Sequence, residues 1–205
     1  MTADATGSLH VTGDRRARHR EARRDRLYHA AVELFVEKGF DNTKMEEIAE
    51  RADTARATVF NHFQRKTAFL DEWSLRRRRR AMHAIELEHL EDRPLRDILA
   101  RYLTELARIS ADSRAETVAC MGAAIRFTNV FGNPELAHQF EGFVARAQKA
   151  GEVRPGTDPE HAALLLASSY FATLSAWIGE EPAPFDLERR LLETLAMILD
   201  GILGR

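Results

Sequence analysis

Residues 44–63 read KMEEIAERADTARATVFNHF, two short amphipathic segments on either side of a turn. In the first segment the apolar residues share one face of a helix: Met45, Ile48, Ala49 and Ala52. In the second segment Ala55, Val59 and Phe63 recur at four-residue spacing and are predicted to face inward. Two short helices joined by a turn in this way form a helix-turn-helix.

The opposite face of the second segment contains no acidic residue. We expect six side chains on or beside this outward face: Arg56, Ala57, Thr58, Phe60, Asn61 and His62. Carboxylates there would repel the phosphates of a duplex, so their absence favours a nucleic acid as the partner. The second helix of such a motif fits the major groove of DNA.

The residues before the motif predict where one helix ends and where the first helix of the motif begins. Leu27, Ala31, Leu34 and Phe35 form an apolar stripe that ends at Gly39, a residue that commonly terminates helices. Thr43, with Glu46 three residues later, matches a capping box and predicts the helix start.

Residues 26–70, RLYHAAVELFVEKGFDNTKMEEIAERADTARATVFNHFQRKTAFL, resemble the DNA-binding domain of the tetracycline-repressor (TetR) family. The matching segments are AAVELFVEKGF, the threonine before EEIAERA, and TVFNHFQRKTAFL. The rest of the chain is similar to the family only in being helical. The resemblance implies a homodimer that binds a palindromic operator, usually as a repressor.

The resemblance also implies roles for individual residues. Arg56 matches a base-reading position, and a guanidinium can bind guanine through two hydrogen bonds. His62 and Lys66 match phosphate contacts, Thr58 matches a phosphate or base contact, and Thr43 matches a phosphate contact at a helix N-terminus. The full predicted DNA-binding set is Thr43, Lys44, Arg56, Ala57, Thr58, Phe60, Asn61, His62 and Lys66.

Three residues depart from the family pattern. Asp53 replaces the usual glycine of the turn, and aspartate tolerates a left-handed backbone better than most residues. Ala55 replaces the usual serine cap, which leaves Asp53 or Thr54 to cap the second helix. Phe60 replaces the usual tyrosine, so a phenolic phosphate contact is lost while contact with a thymine methyl remains available.

Charge is distributed unevenly along the 205 residues. The first 80 carry 18 Lys and Arg against 13 Asp and Glu, whereas the remainder carry 12 against 19. Residues 1–24 are expected to be a disordered basic arm, either in contact with DNA or simply solvated. The run from Arg76 to Arg80 covers more than one helical turn, so we interpret it as a solvated surface.

Helical spacing continues along the chain, which predicts an all-α protein of about nine helices. We expect a helix-turn-helix domain at residues 25–65 and a regulatory domain at 66–205. Two apolar C-terminal helices, about 159–178 and 186–203, are predicted to form the dimer interface. Its expected residues are Leu187, Leu191, Leu192, Leu195, Leu199 and Ile202.

Aromatic residues of the second half form either a packed core or a ligand cavity. Five residues are predicted to line the cavity: Met121, Phe127, Phe140, Tyr170 and Trp177. Because none of these is charged, an apolar or amphipathic small molecule is expected. A ligand there is expected to move the fourth helix and thereby change the separation of the two recognition helices.

Other function classes are less well supported. His83, Glu86 and His89 do not have the spacing of a zinc site, so an ordinary polar surface is expected. The chain shows no nucleophile with a positioned base and no glycine-rich phosphate loop, and neither catalytic residues nor cofactors are predicted. The only cysteine, Cys120, is expected to be a buried, inert thiol in a cytoplasmic protein without a membrane span. A DNA-binding protein without ligand control remains the alternative.

Overall fold

The computed structural model describes residues 7–90, 92–131 and 135–202. Within these ranges it forms nine α-helices: α1 (Gly7–Lys38), α2 (Met45–Arg51), α3 (Arg56–His62), α4 (Thr67–Leu87), α5 (Leu95–Asp112), α6 (Arg114–Phe127), α7 (Glu135–Lys149), α8 (Pro159–Ile178) and α9 (Leu187–Ile202). The predicted all-α class is confirmed. The chain divides into two compact units, one ending at Phe69 and the other beginning at Leu70.

The core of the first unit consists of the predicted apolar stripe of α1 and the inward faces of α2 and α3. Leu27, Ala31, Leu34 and Phe35 are all buried, as are Ile48 and Val59. The ring of Phe63 stacks on that of Phe69 with centroids 3.9 Å apart, and Phe35 meets Phe69 edge-on at 6.4 Å. Burial of side chains of this size contributes about 1.5–3 kcal/mol each.

The structure corrects the expected conformation of the basic arm. Helix α1 is continuous from Gly7, so residues 7–24 are helical, although residues 1–24 were expected to be disordered. Arginine is among the strong helix formers, and six of residues 7–24 are arginines. Residues 1–6 of the arm, and the side chains of residues 7–14 and 16, lie outside what the structure describes.

Both predicted starts of the last two helices are confirmed in the second unit. The carboxylate of Asp158 accepts a hydrogen bond from the Glu160 amide at 3.0 Å, and that of Asp186 accepts one from the Arg189 amide at 2.7 Å. Helix α8 packs against α7 and α9. Its length and apolar composition would suffice to cross a membrane, yet Leu166, Tyr170 and Leu174 are buried within the unit.

The leucines predicted for the dimer interface mostly belong to the core of their own chain. Helix α9 packs on α5 and α8, and this buries Leu187, Leu191, Leu195 and Leu199. Leu195 is only 3% exposed. The expectation that Leu195 pairs across a dimer is therefore wrong, because its side chain already has neighbours inside the protomer.

The arginine run of α4 is only partly the solvated surface that the sequence predicted. Arg79 is exposed, but Arg76 pairs with the buried carboxylate of Glu72 at 2.8 Å. Arg80 approaches the buried carboxylate of Glu105 at 3.4 Å. Arg77 is buried. Three arginines of α4 are therefore either paired with a carboxylate or buried, which their residue type alone does not predict.

Candidate DNA-binding surface

The turn between α2 and α3 has a left-handed backbone at Asp53, where the family pattern has glycine. Asp53 has a φ of +49°, in the left-handed region. Placing a residue other than glycine there costs about 1–2 kcal/mol, and aspartate is among the residues that tolerate it best. The prediction that aspartate supports this turn is confirmed.

Helix α3 presents the predicted outward residues to solvent. Arg56, Ala57, Phe60 and Asn61 are exposed, while Thr58 and His62 are half-buried. Val59 and Phe63 face inward as expected. Ala55 is exposed, contrary to expectation, because the helix begins at Arg56 and Ala55 stands at its N-terminal boundary.

Arg56 is held in place by residues on both helices of the motif. Its guanidinium forms an ion pair with Glu46 of α2 at 2.8 Å. The same group lies 5.5 Å from the ring centre of Phe60, one turn further along α3. With its side chain 66% exposed, Arg56 remains accessible to a partner. Sequence reasoning found Arg56 but missed the carboxylate that orients it.

The start of α2 differs from the predicted capping box. The N-cap is Lys44, and the carboxylate of Glu47 accepts a hydrogen bond from the Lys44 amide at 2.7 Å. Thr43 is buried, with its hydroxyl 2.9 Å from the Gly39 carbonyl oxygen and 3.3 Å from that of Leu34. Its side chain therefore closes the end of α1 and is not exposed for a phosphate, whereas Lys44 is exposed.

Lys66 has a structural role that the sequence did not reveal. Its ammonium donates to the carbonyl oxygens of Phe40, Asp41 and Thr43, at 2.5, 3.4 and 2.8 Å. These bonds occupy the three donors that a lysine possesses. Burial lowers the pKa of Lys66, although Asp41 and Glu47 oppose this shift. A phosphate would have to displace a backbone carbonyl to bind the ammonium directly.

The arginine-rich middle of α1 contacts the end of α3. Arg24 donates to the carbonyl oxygen of His62 at 3.0 Å, and its guanidinium lies 4.3 Å from the ring centre of Phe63. A surface groove is lined here by Ala17, Arg20, Glu21, Arg24 and His62. Burial lowers the pKa of His62, and the charges of Arg20, Arg24 and Arg23 lower it further. The contact joins residues 38 positions apart, so no local pattern could have predicted it.

The comparisons with known proteins agree with this geometry. Residues 27–73 match the profile of the bacterial regulatory proteins of the tetR family. This chain is a TetR-family transcriptional regulator. The relatives that match the chain are transcriptional regulators of this family rather than enzymes, and the chain is not an enzyme.

The TetR-family chain is similar to known proteins over most of its length. It is 26% identical over 191 residues to the HTH-type transcriptional regulator UidR of Escherichia coli K12, covering 88% of this chain and 92% of UidR. It resembles the structure of Thermus thermophilus FadR, a TetR-family repressor in complex with lauroyl-CoA, at 25% identity and a TM-score of 0.67, covering 89% and 96% of the two chains. It also resembles SmeT, the repressor of the Stenotrophomonas maltophilia efflux pump SmeDEF, at 25% identity and a TM-score of 0.68, covering 88% and 90%.

The predicted ligand residues of this TetR-family regulator are distributed through its second unit. Met121, Phe140, Tyr170 and Trp177 are buried, whereas Phe127, the last residue of α6, is 45% exposed. Phe140 meets the ring of Tyr102 at 5.5 Å. Trp177 lies under the guanidinium of Arg114 at 4.2 Å. Phe127 is therefore at the surface and does not line an enclosed space.

Three buried side chains of the second unit bear on the regulatory half: Cys120, Tyr170 and Arg77. Cys120 is fully buried, and burial raises the pKa of its thiol, which makes the thiolate inaccessible at neutral pH. Burial raises the pKa of Tyr170, while Arg77 and Ser110 oppose this shift. The five predicted lining residues are themselves uncharged, but the second unit also buries the cation Arg77.

Proposed function

We propose that this regulator binds a palindromic operator as a homodimer, represses transcription, and is released from DNA by a small molecule. The exposed outer face of α3 carries the proposal. Arg56, Phe60 and Asn61 stand on it with no acidic residue of the helix beside them. Residues 25–65 would form the DNA-binding domain and residues 66–205 the regulatory domain.

In the proposed complex, α3 enters the major groove and Arg56 reads a guanine. Its exposed guanidinium has the geometry for two hydrogen bonds to guanine O6 and N7. Phe60 would contact a thymine methyl, and Asn61 a base edge or phosphate. The exposed arginines in the middle of α1, Arg20 and Arg23, would bind phosphates beside the groove.

The dimer interface would be formed by the apolar residues that α8 and α9 leave exposed. Leu165 on α8 is 53% exposed and Met197 on α9 is 70% exposed, and Leu164 lies beside Leu165. Ala172 and Ala176 continue the exposed side of α8 with small side chains. Large apolar side chains exposed in this way favour burial against a second copy, and a two-fold interface would give two half-sites the spacing of one helical turn of DNA, about 34–36 Å.

The regulatory ligand would be bound within the second unit, and the protein would act in the cytoplasm. FadR was solved with lauroyl-CoA, a molecule with a long apolar chain, and this supports a ligand with an apolar part here. Because α4 begins at Thr67 in the first unit and continues through the second, one helix belongs to both. Such a ligand must bind the DNA-bound protein more weakly by the same factor by which it weakens DNA binding.

Footprinting on the DNA upstream of the protein's own gene and adjacent genes tests the proposed function. We expect protection of an inverted repeat by the wild type. Arg56→Ala should lose that protection at the same concentration while keeping the wild-type melting temperature. Protection of no sequence in preference to bulk DNA would contradict the proposal.

A further inference from the structure

Arg77 on α4 is a buried cation, with 6% of its surface exposed. Burying a charge is costly unless an opposite charge accompanies it. The neighbouring Arg76 and Arg80 are each paired with a carboxylate, at 2.8 and 3.4 Å. Among the described residues, no carboxylate oxygen lies within 4.0 Å of the Arg77 nitrogens. Arg77 is therefore buried without a counter-charge from the described part of its own chain.

The groups that do contact Arg77 are neutral. Its guanidinium donates to the hydroxyl oxygen of Ser110 and, at 3.4 Å, to that of Thr117. It lies 4.5 Å from the ring centre of Trp73. A guanidinium has five N–H donors, so these two bonds leave donor capacity unused. Glu116 makes no ion pair with it, and one of its oxygens accepts from the Trp73 indole at 2.7 Å.

The hydroxyls around Arg77 are oriented by the backbone. Ser110 donates its proton to the Leu106 carbonyl at 2.6 Å, and Thr117 lies 3.0 Å from the Ser113 carbonyl. Their oxygens are left to accept from the guanidinium, which orients Arg77 without neutralising it. Three helices thus contribute to one polar cluster: Arg77 on α4, Ser110 on α5 and Thr117 on α6.

We propose that Arg77 binds the carboxylate of an otherwise apolar effector molecule. This inference rests on the proposed function and assigns the chemical class of its ligand. A carboxylate would supply the missing counter-charge and accept hydrogen bonds from the guanidinium. The apolar remainder would occupy the aromatic interior of the same unit, to which Tyr102, Phe140 and Phe143 belong. The effector is therefore an amphipathic anion.

Matched pairs of ligands test the charge requirement directly. Benzoate, octanoate and laurate are titrated into the DNA-free protein by calorimetry, each beside its uncharged primary amide. We expect at least one carboxylate to bind about tenfold or more tightly than its amide, as hydrogen bonds to charged groups allow. Absence of a carboxylate preference in all three pairs overturns the proposal. DNA is absent, so failure here is distinct from failure of operator binding.

Variants assign that preference to Arg77. Arg77→Gln should bring the carboxylate-to-amide affinity ratio close to one. Arg77→Lys should retain part of the preference for the carboxylate. The control Arg79→Gln, which alters an exposed arginine of the same helix, should leave the ratio unchanged. Thermal unfolding of the ligand-free variants provides a test that needs no ligand. If the buried charge of Arg77 serves to bind a ligand and does not stabilise the fold, Arg77→Met should melt at or above the wild-type temperature. Retention of the preference by Arg77→Gln, or a melting temperature of Arg77→Met well below wild type, overturns the assignment.

Discussion

Glu46 on α2 and Arg56 on α3 form an ion pair at 2.8 Å that joins the two helices of the DNA-binding motif. The Arg56 side chain is 66% exposed and that of Glu46 44%, so the pair contributes little to folding, about 0–1 kcal/mol. Its consequence is orientation. It keeps a long, mobile side chain beside Phe60, on the face of α3 that we propose enters the major groove.

Replacing Glu46 should therefore change specificity more than stability. In Glu46→Gln the guanidinium loses its orienting charge, while the repulsion between the carboxylate and DNA phosphates is also removed. We expect binding to random DNA to strengthen and discrimination at the base read by Arg56 to fall. Fluorescence anisotropy with single-base operator variants measures both. An unchanged specificity ratio would mean that Glu46 acts only through its charge.

Arg56→Ala tests the readout itself. The variant should lose about 1–3 kcal/mol of specific binding, with preference relaxed at one base position in each half-site. Asn42→Ala, at an exposed position in the turn before α2, is a suitable control and should keep the wild-type preference. If the base preference of Arg56→Ala matches wild type at every position, another residue reads the operator.

Lys66→Met should separate a structural role from a phosphate contact. Loss of the bonds to Phe40 and Thr43 should destabilise the first unit by about 1–3 kcal/mol, because hydrogen bonds from a charged donor are lost. DNA affinity would fall for all sequences, yet the slope of log K against log salt should not change. A slope reduced by about one would instead identify Lys66 as a phosphate contact.

His62 should make DNA binding depend on pH. Burial and the charges of Arg20 and Arg24 lower the pKa of His62 in the free protein. Phosphates would stabilise the imidazolium and raise that pKa, so binding takes up a proton and affinity increases as pH falls. Anisotropy titrations from about pH 7 to 5, the range in which histidine titrates, should show this increase in the wild type.

His62→Gln is the matched variant for this effect, since the other histidines remain. Its affinity should rise less steeply with falling pH than that of the wild type. Falling pH has the opposite effect on folding, because it lowers the stability of the folded chain. A lowered native pKa means that the unfolded chain binds more protons, so the contribution of His62 to stability is lost as pH falls through 6.5. If DNA affinity depends on pH equally in wild type and His62→Gln, His62 does not contact the DNA.

Leu165→Glu should produce monomers that remain folded. The side chain is exposed in the protomer, so a carboxylate there costs little until a second copy approaches. Sedimentation at micromolar concentration should show the monomer, and operator affinity should fall because one half-site binds weakly. Leu87→Glu alters another exposed leucine and should remain dimeric. Leu195→Glu is expected to unfold, because Leu195 is buried in its own chain.

Neutralising Arg20 and Arg23 together should weaken DNA binding mainly at low salt. Each phosphate contact that is lost reduces the slope of log K against log salt by about 0.9. The double change to glutamine should therefore lower the slope by up to about two. Arg189 and Arg190, exposed on α9, provide the control pair. An equal slope in both double variants would mean that this middle part of α1 is solvated and does not contact DNA.

Local pattern was sufficient for the elements of the first unit. The stripe from Leu27 to Phe35, the stop at Gly39 and the inward positions Val59 and Phe63 follow from spacing along a single helix. Such features depend on residues within one or two turns, and the sequence contains them directly. The left-handed backbone at Asp53 was predictable for the same reason, since a short turn restricts its own residues.

The tertiary structure decided which polar side chains remain available to a partner. Thr43 and Lys66 have the residue types of phosphate ligands, but carbonyl groups of the turn before α2 already bind them. Leu195 and Arg77 were assigned to surfaces and are buried, because α9 and α4 are covered by helices distant in sequence. By itself the sequence determined the helices and the motif, since periodicity is local. Burial and the pairing of charges depend on contacts between distant segments, and only the folded chain specifies them.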